Sequence, residues 1–348
     1  MTRLPAPVAR TGVFLDRHQS LSIVIVAAIV TTILPIVALI PPFSGFGRLD
    51  VWVGTFANAG VFVLLALGLN VVVGLAGLLD LGYAAFFAIG AYTMAYGNSS
   101  FTNFGAPFWV MLLIGAFVAA IFGLLLGAPT LRLRGDYLAI VTLGFGEIVP
   151  VVFRNADQYT RGTNGITGIG QPNLYGLFGI NGFGFTNPWP YYATIVVIIT
   201  IAVIFLYRLQ DSRLGRAWVA LREDELAAAS MGINTVTTKL LAFAIGASTS
   251  GLAGVFFASK LSTVSPDSFG FTVSFTALAM VVLGGMGNIW GVSAGAFIVY
   301  ELQTQGLKQL DAFVKSLHLA PIGPVDLNAI NFINYQYLLY GLALVGMM

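Results

Sequence analysis

The sequence predicts an all-α polytopic membrane protein, and three observations carry that prediction. Only sixteen Lys and Arg and fourteen Asp and Glu occur among 348 residues, 9% of the chain, against about 25% in an ordinary soluble domain. Hydrophobic residues make up 57%, and the mean hydropathy is +0.89. The apolar residues run continuously instead of alternating every second position, the pattern of membrane helices and not of a barrel. So few charges cannot form the polar shell of a soluble fold, which excludes a soluble enzyme, a secreted disulfide scaffold and a disordered chain.

The first apolar run, 21–40, is uncharged, follows Arg3, Arg10 and Arg17, and closes at Pro41 and Pro42. Its Arg-flanked start resembles a signal peptide, but it is longer than a signal core and no small-x-small cleavage pattern follows. A retained first helix is expected, with residues 1–20 as a cytoplasmic N-terminal segment. Residues 51–79 carry no charge, and Asp80 ends them. Residues 81–131 are again uncharged; as one helix they would reach about 75 Å across a core of about 30 Å. They must fold back once, and 97–107 is the natural turn. Further spans are expected at 137–153, 191–207, 240–258, 271–287 and 289–299, with a last one from about 335.

About ten crossings result, within one transmembrane domain over 21–348. Starting inside, this count puts Arg132 and Arg134 inside, together with a segment 208–239 that holds Arg208, Arg213, Arg216, Arg222 and Lys239. The positive-inside rule agrees with the count independently. The loop 155–190, rich in Gly, Asn and aromatics, falls outside. In 301–334, Leu307, Leu310, Phe313, Val314 and Leu317 recur at helical spacing opposite Lys308, Asp311 and Lys315. That pattern predicts a helix lying in the outer interface.

Several chemistries are missing. A net charge of +2, from scattered Arg, does not suggest a nucleic-acid partner. There is no Cys, and the two His residues, His18 and His318, lie far apart, so a metal site is not expected. No phosphate-binding G-x-x-x-x-G-K-[ST] loop occurs, and no Ser/His/Asp set. Nothing points to catalysis.

The most informative segment is 211–234, DSRLGRAWVALREDELAAASMGIN. Asp211 or Ser212 can cap a helix, the Ala-rich stretch favours one, and Gly232 is placed to stop it. A solvated connector would look similar. The alternative is a docking helix for a motor subunit, with Arg222, Glu223, Asp224 and Glu225 giving directional contacts, Ala228 in a slim docking face and Gly232 permitting the exit.

Followed by KLLAFAIGA (239–247) and SGLAG (250–254), this segment resembles the cytoplasmic loop of ABC importer permeases. The run GLNVVVGLAGLLDLGYAAFFAIGAY (68–92) resembles the branched-chain amino acid permease family. LRLRGDYLAIVTLGFGEI (131–148) and TNGITGI (163–169) are similar to its LivM-type member. These blocks spread over about two-thirds of the chain. Two departures stand out: counting back from Gly232 puts Leu226 where importer loops carry Glu, leaving Glu225 one position early. The family also usually ends in a basic, proline-containing tail, whereas this chain stops at Met348 in an apolar run. Either a short final helix or further sequence is expected.

The resemblance implies an importer permease that binds no cofactor itself. Its expected partners are a homologous permease in a heterodimer, two cytoplasmic ATPases that use ATP and Mg, and an extracytoplasmic solute-binding protein, all at a bacterial-type inner membrane. Segment 208–239 would then couple ATPase motion to the membrane. A urea or amide importer would share the fold, and an ion-coupled secondary transporter would need its own midplane site. A membrane-embedded enzyme lacks a catalytic constellation here. Gly74 and Gly77, and later Gly284 and Gly285, suit close helix packing or a moving gate. Asp80, Glu147 and Arg154 are ionisable groups in apolar surroundings, candidates for the translocation path or for an ion pair. Glu147 and Arg154 are seven apart, on one helical face.

Overall fold

A computed structural model describes residues 49–130, 136–172 and 187–308, with 311, 315, 338 and 341 as single positions. The expected first span, the segment with Arg132 and Arg134, most of 301–334 and the last span lie outside the described residues. The one-turn helix Asp157–Thr160 aside, ten α-helices follow in order among the described residues. They are α1 Leu49–Leu69, α2 Ala84–Gly97, α3 Phe108–Thr130, α4 Asp136–Asn155 and α5 Trp189–Gln210, then α6 Arg213–Glu223, α7 Glu225–Ser230, α8 Thr235–Leu261, α9 Phe271–Gly284 and α10 Ile289–Glu301. Among the described residues six helices are long and apolar enough to cross a membrane. The protein is thus an all-α polytopic membrane protein.

Two helices run on as π turns, α1 through Asn70–Leu75 and α10 through Leu302–Gly306. The helix expected over 51–79 therefore ends at Leu75, because Gly77 adopts φ +69° and the chain turns away. At α10 the chain stays helical through Lys308, so nothing breaks at residue 301. Leu307 is buried, Lys308 is exposed, and Lys315 pairs with Asp311 at 2.6 Å.

Helix α8 runs through the middle, against α3, α2 and α1. Glycine makes this possible: a Cβ on Gly90 of α2 would sit 2.4 Å from the Gly251 carbonyl of α8. Backbones touch there, which trades side-chain area for close dispersion contact where no hydrophobic drive separates helix from lipid. By contrast α3 and α4 present Leu113, Phe117, Leu125, Ile140 and Ile148 outward, toward lipid or another subunit.

The two ends of the bundle are distinct. At one end Ile166–Thr167 (β1) pairs antiparallel with Thr263–Val264 (β2), Ile166 opposite Val264. Gly170 donates to the Asn98 carbonyl at 2.7 Å, and Lys260 donates to the Gly54 carbonyl at 2.7 Å. At the opposite end lie the turn after α1, the start of α4, the α6–α7 region and the glycine turn after α9. The alternation of these contacts matches the alternation of loops expected from the apolar runs between 49 and 301.

Candidate functional site

The α6–α7 region forms an elbow. Ser212 caps α6, its Oγ accepting from the Leu214 and Gly215 amides. At Asp224 the backbone leaves helical geometry (φ −155°, ψ 112°), and its carboxylate accepts from the Leu226 and Ala227 amides at 2.8 and 3.0 Å. The single helix expected up to Gly232 is thus two helices with a corner. A short acidic side chain that satisfies two orphan amides starts a new helix more readily than it continues an old one. Gly232, at φ +84°, releases α7, and Asn234 caps α8 through the Thr237 amide.

Three attachments hold the elbow to the membrane helices. Trp218 is fully buried, and its Nε1 donates to the Thr238 carbonyl at 2.8 Å. Lys239, also buried, donates to Glu225 Oε1 at 2.7 Å. Arg222 Nη1 donates at 2.6 Å to the Gly74 carbonyl, one of the last-turn carbonyls that the helix end at Leu75 leaves without an intrahelical partner. Its stem lies on Gly77, where a Cβ would come 2.8 Å from Arg222 Cγ. Nearby Gln210, the last residue of α5, donates to the Gly287 carbonyl at 3.3 Å, and the Gly287 amide donates to Asn70 Oδ1 at 2.8 Å. Arg222, Gly74 and Gly77 are therefore brought together, and the turn after α9 joins them. Gly284 packs backbone-close on Val292, while Gly285, at φ +95°, faces open space. These two shape the turn and touch no elbow residue directly.

The side of α7 that a partner could meet differs from expectation. Ala228 is 3% exposed, so it faces the protein and not a docking groove. Leu226 and Met231, at 67% and 84% exposed, project from the tip, with Glu223 and Asp224 exposed at its base.

The expected ionisable trio is dispersed. Asp80 lies in the link 76–83 between α1 and α2, 1% exposed, with Oδ1 accepting from the Gly82 amide at 2.9 Å. Burial pushes its carboxyl above the usual carboxylate range, against the Gly82 amide and the Thr142 hydroxyl, which lower it. Glu147 and Arg154 share α4 but do not pair with each other. Glu147 Oε1 accepts from the Phe271 amide at 3.1 Å and so caps α9 from a neighbouring helix. Arg154 bridges to Asp267 at 2.5 Å, both groups largely exposed. A spacing of seven puts residues on one face, yet two turns are too far for direct contact, and each finds a nearer partner across the bundle.

Sequence reasoning missed Asn70, Gln210 and Trp218. Asn70 carried a signal: it is the polar residue inside the apolar run 61–76 and stands 1% exposed, as membrane-buried polar groups do when they are bonded. Asp267 carried none, because its partner is 113 residues away.

Residues 52–348 match the family described as the branched-chain amino acid transport system permease component. The chain is 44% identical to the high-affinity branched-chain amino acid transport system permease protein LivM of Salmonella typhimurium, and 45% identical to that of Escherichia coli. Both alignments cover 256 residues, 69% of this chain and 60% of the relative, so the chain spans about 60% of the length of these relatives. The LivH permease protein of Escherichia coli is 25% identical over 68% of this chain and 79% of its own length. No solved structure matches.

Proposed function

Because the chain belongs to the LivM-type branched-chain amino acid permease family, we propose that it is the membrane subunit of an ATP-driven importer of branched-chain or other hydrophobic amino acids. It gives alternating access to a solute delivered by an extracytoplasmic binding protein. Its neighbours in this reading are a LivH-like permease in a heterodimer and two cytoplasmic ATPases that hold ATP and Mg. The chain itself is a transport subunit in the inner membrane, with segment 208–239 on the cytoplasmic side.

One observation supports the reading: Arg222 latches the elbow to the glycine-rich turn after α1, which is itself bonded to the turn at Gly287. Arg222 holds the π turn after α1, and Gln210 and Asn70 hold the turn at Gly287. A solvated connector would have no need of such attachments. In use, ATPase closure displaces the tip bearing Leu226 and Met231. The capped corner at Asp224 and the Glu225–Lys239 bridge pass that displacement to α6 and α8. Arg222 then pulls on the π turn, where helical pairing is already loosened. A conformational change needs contacts that differ between two states, and these bonds are the ones available to differ.

The test is co-expression with the permease, ATPases and binding protein encoded beside this chain, followed by reconstitution. ATP-dependent uptake of labelled leucine, isoleucine or valine is expected, with none from this chain alone. Concentrative uptake by the chain alone on an ion gradient would overturn the importer reading in favour of a secondary transporter. An ATP-driven assembly that moves urea or amides but no amino acid would overturn the solute assignment.

A further inference from the structure

At the end of the bundle that carries β1 and β2, a groove of about 450 Å³ opens between α2, α3 and α4. Its long wall is a face of α3, formed by Met111, Ile114, Val118 and Phe122 at helical spacing, and Phe153 of α4 stands across from it. From Met111 to Phe122 the wall runs about 17 Å, close to the depth of one leaflet in a hydrocarbon core about 30 Å thick. The polar side chains along it present no free donor. Thr93 donates to the Ile89 carbonyl, Tyr96 donates to the Tyr159 carbonyl, and the Tyr92 hydroxyl is fully buried and does not reach the groove. The mouth is aromatic and cationic. Phe104 and Tyr159 are exposed there and Trp109 is half-buried, the ring belt expected at a membrane–water interface. Arg161 is exposed, with its guanidinium 4.9 Å from the centre of the Phe101 ring. Phe101 in turn meets Tyr96, in the groove wall, edge-on at 6.3 Å. Among the described residues Arg161 has no ion-pair partner.

We propose that this groove holds one acyl chain of an outer-leaflet phospholipid, and that Arg161 at its mouth holds the phosphate. The groove supplies neither charge nor free donor, so its occupant must be apolar along the whole buried length. A zwitterionic amino acid fails that condition, because both of its charges would lie unpaired in an apolar slot. A lipid meets it: the hydrocarbon chain is uncharged for the depth of a leaflet, and its anionic group begins at the interface. The two ends of the site are spaced for such a molecule, since Arg161 is separated from the groove wall only by the Phe101 ring. A guanidinium pairs with phosphate oxygens through a planar fork, and the ring beneath it helps to fix its direction. A chain in the groove also fills the gap between α3 and α4, restoring dispersion contacts that an empty slot forfeits. The proposal needs only that the chain spans a membrane, and it does not depend on which solute is imported.

The test is photolabelling of the full chain, purified with the subunits that accompany it and reconstituted in phosphatidylcholine vesicles. A trace of phosphatidylglycerol, or in a parallel sample of phosphatidylcholine, carries a diazirine midway along one acyl chain. Adducts are mapped by peptide mass spectrometry after irradiation. They are expected on Ile114, Val118 and Phe153 in excess of the outward-facing α5 residues Val197 and Ile201. Phosphatidylglycerol should label the groove about fivefold more than phosphatidylcholine, the preference one arginine confers near a membrane surface. Arg161→Asn, which suits the left-handed backbone at this position (φ +58°), should abolish that preference and leave α5 labelling unchanged. Ile114→Trp should fill the groove and remove the adducts at Phe153, with Ile201→Trp as its control. If Ile114→Trp does not purify, Arg161→Asn still decides. Equal labelling of groove and α5, or an unchanged headgroup preference in Arg161→Asn, overturns the proposal. A groove labelled in the isolated chain but not in the assembly also overturns it, and makes the groove a seat for another subunit. Loss of groove adducts on adding leucine, with α5 labelling constant, overturns it in favour of the solute.

Discussion

Replacing Arg222 with Ala removes the bond that ties the elbow to the π turn. A hydrogen bond from a charged donor is worth about 1.5–3 kcal/mol. Arg222 is exposed, while its bond to the Gly74 carbonyl is short at 2.6 Å, so the bottom of that range applies, about 1.5 kcal/mol. The stem also covers Gly77, and its loss opens a gap beside a glycine that has no side chain to fill it. A loss of about 1.4 kcal/mol shifts a two-state equilibrium about tenfold. The shift should act on transmission and not on insertion, because Trp218 and Lys239 still anchor the elbow. In proteoliposomes holding the full importer, the measurement is solute moved per ATP hydrolysed. We expect Arg222→Ala to keep bound ATPase and to lower that ratio about tenfold. Arg222→Lys should fall between, since Lys supplies charge without the planar fork. An unchanged ratio with intact ATPase binding would refute the latch.

Four more outcomes follow from the same contacts. Glu225→Gln leaves the buried Lys239 ammonium without its carboxylate; with Glu225 partly exposed the loss should be about 2–4 kcal/mol, below the full range for a buried pair. The double change Glu225→Gln with Lys239→Met should return most of it, both read by thermal unfolding in detergent. Gly90→Leu should yield no monodisperse protein, because its Cβ meets the Gly251 backbone at 2.4 Å, whereas Gly144→Ala, with open space around it, should behave as wild type. Glu147→Ala should cost only about 1 kcal/mol, the worth of an exposed helix cap; a loss several times larger in the same melt would mean a deeper role. A cysteine at Ser230 should label with an impermeant maleimide only from the cytoplasmic side, and one at Asp157 only from outside; the reverse would invert the proposed topology.

What the sequence determined by itself is the class of fold and the position of the spans. Charge scarcity and uninterrupted apolar runs leave helices as the only way to satisfy the backbone in lipid. The runs therefore located α3, α4, α5 and α8 to within a few residues, and the turn at 97–107 emerged between α2 and α3. The sequence also marked the elbow, since a short charged helix beside a span needs no tertiary contact to be recognised. Which helix is central was not legible. The most apolar 18-residue windows of 49–75 and 108–130 have mean hydropathies of 2.2 and 2.7, yet 89% of the first window and 28% of the second is buried. Lipid and protein interior are equally apolar, so composition cannot tell one from the other; backbone-close glycine contacts such as Gly90 on Gly251 decide it. The same holds for the polar partners. Glu147 and Arg154 were visible as costly charges, but their partners, the Phe271 amide and Asp267, lie 124 and 113 residues away. Arg222 reaches back 148 residues to a carbonyl left free at a helix end. Only the packed bundle brings such groups together, because a hydrogen bond constrains distance in space and leaves no period in the chain.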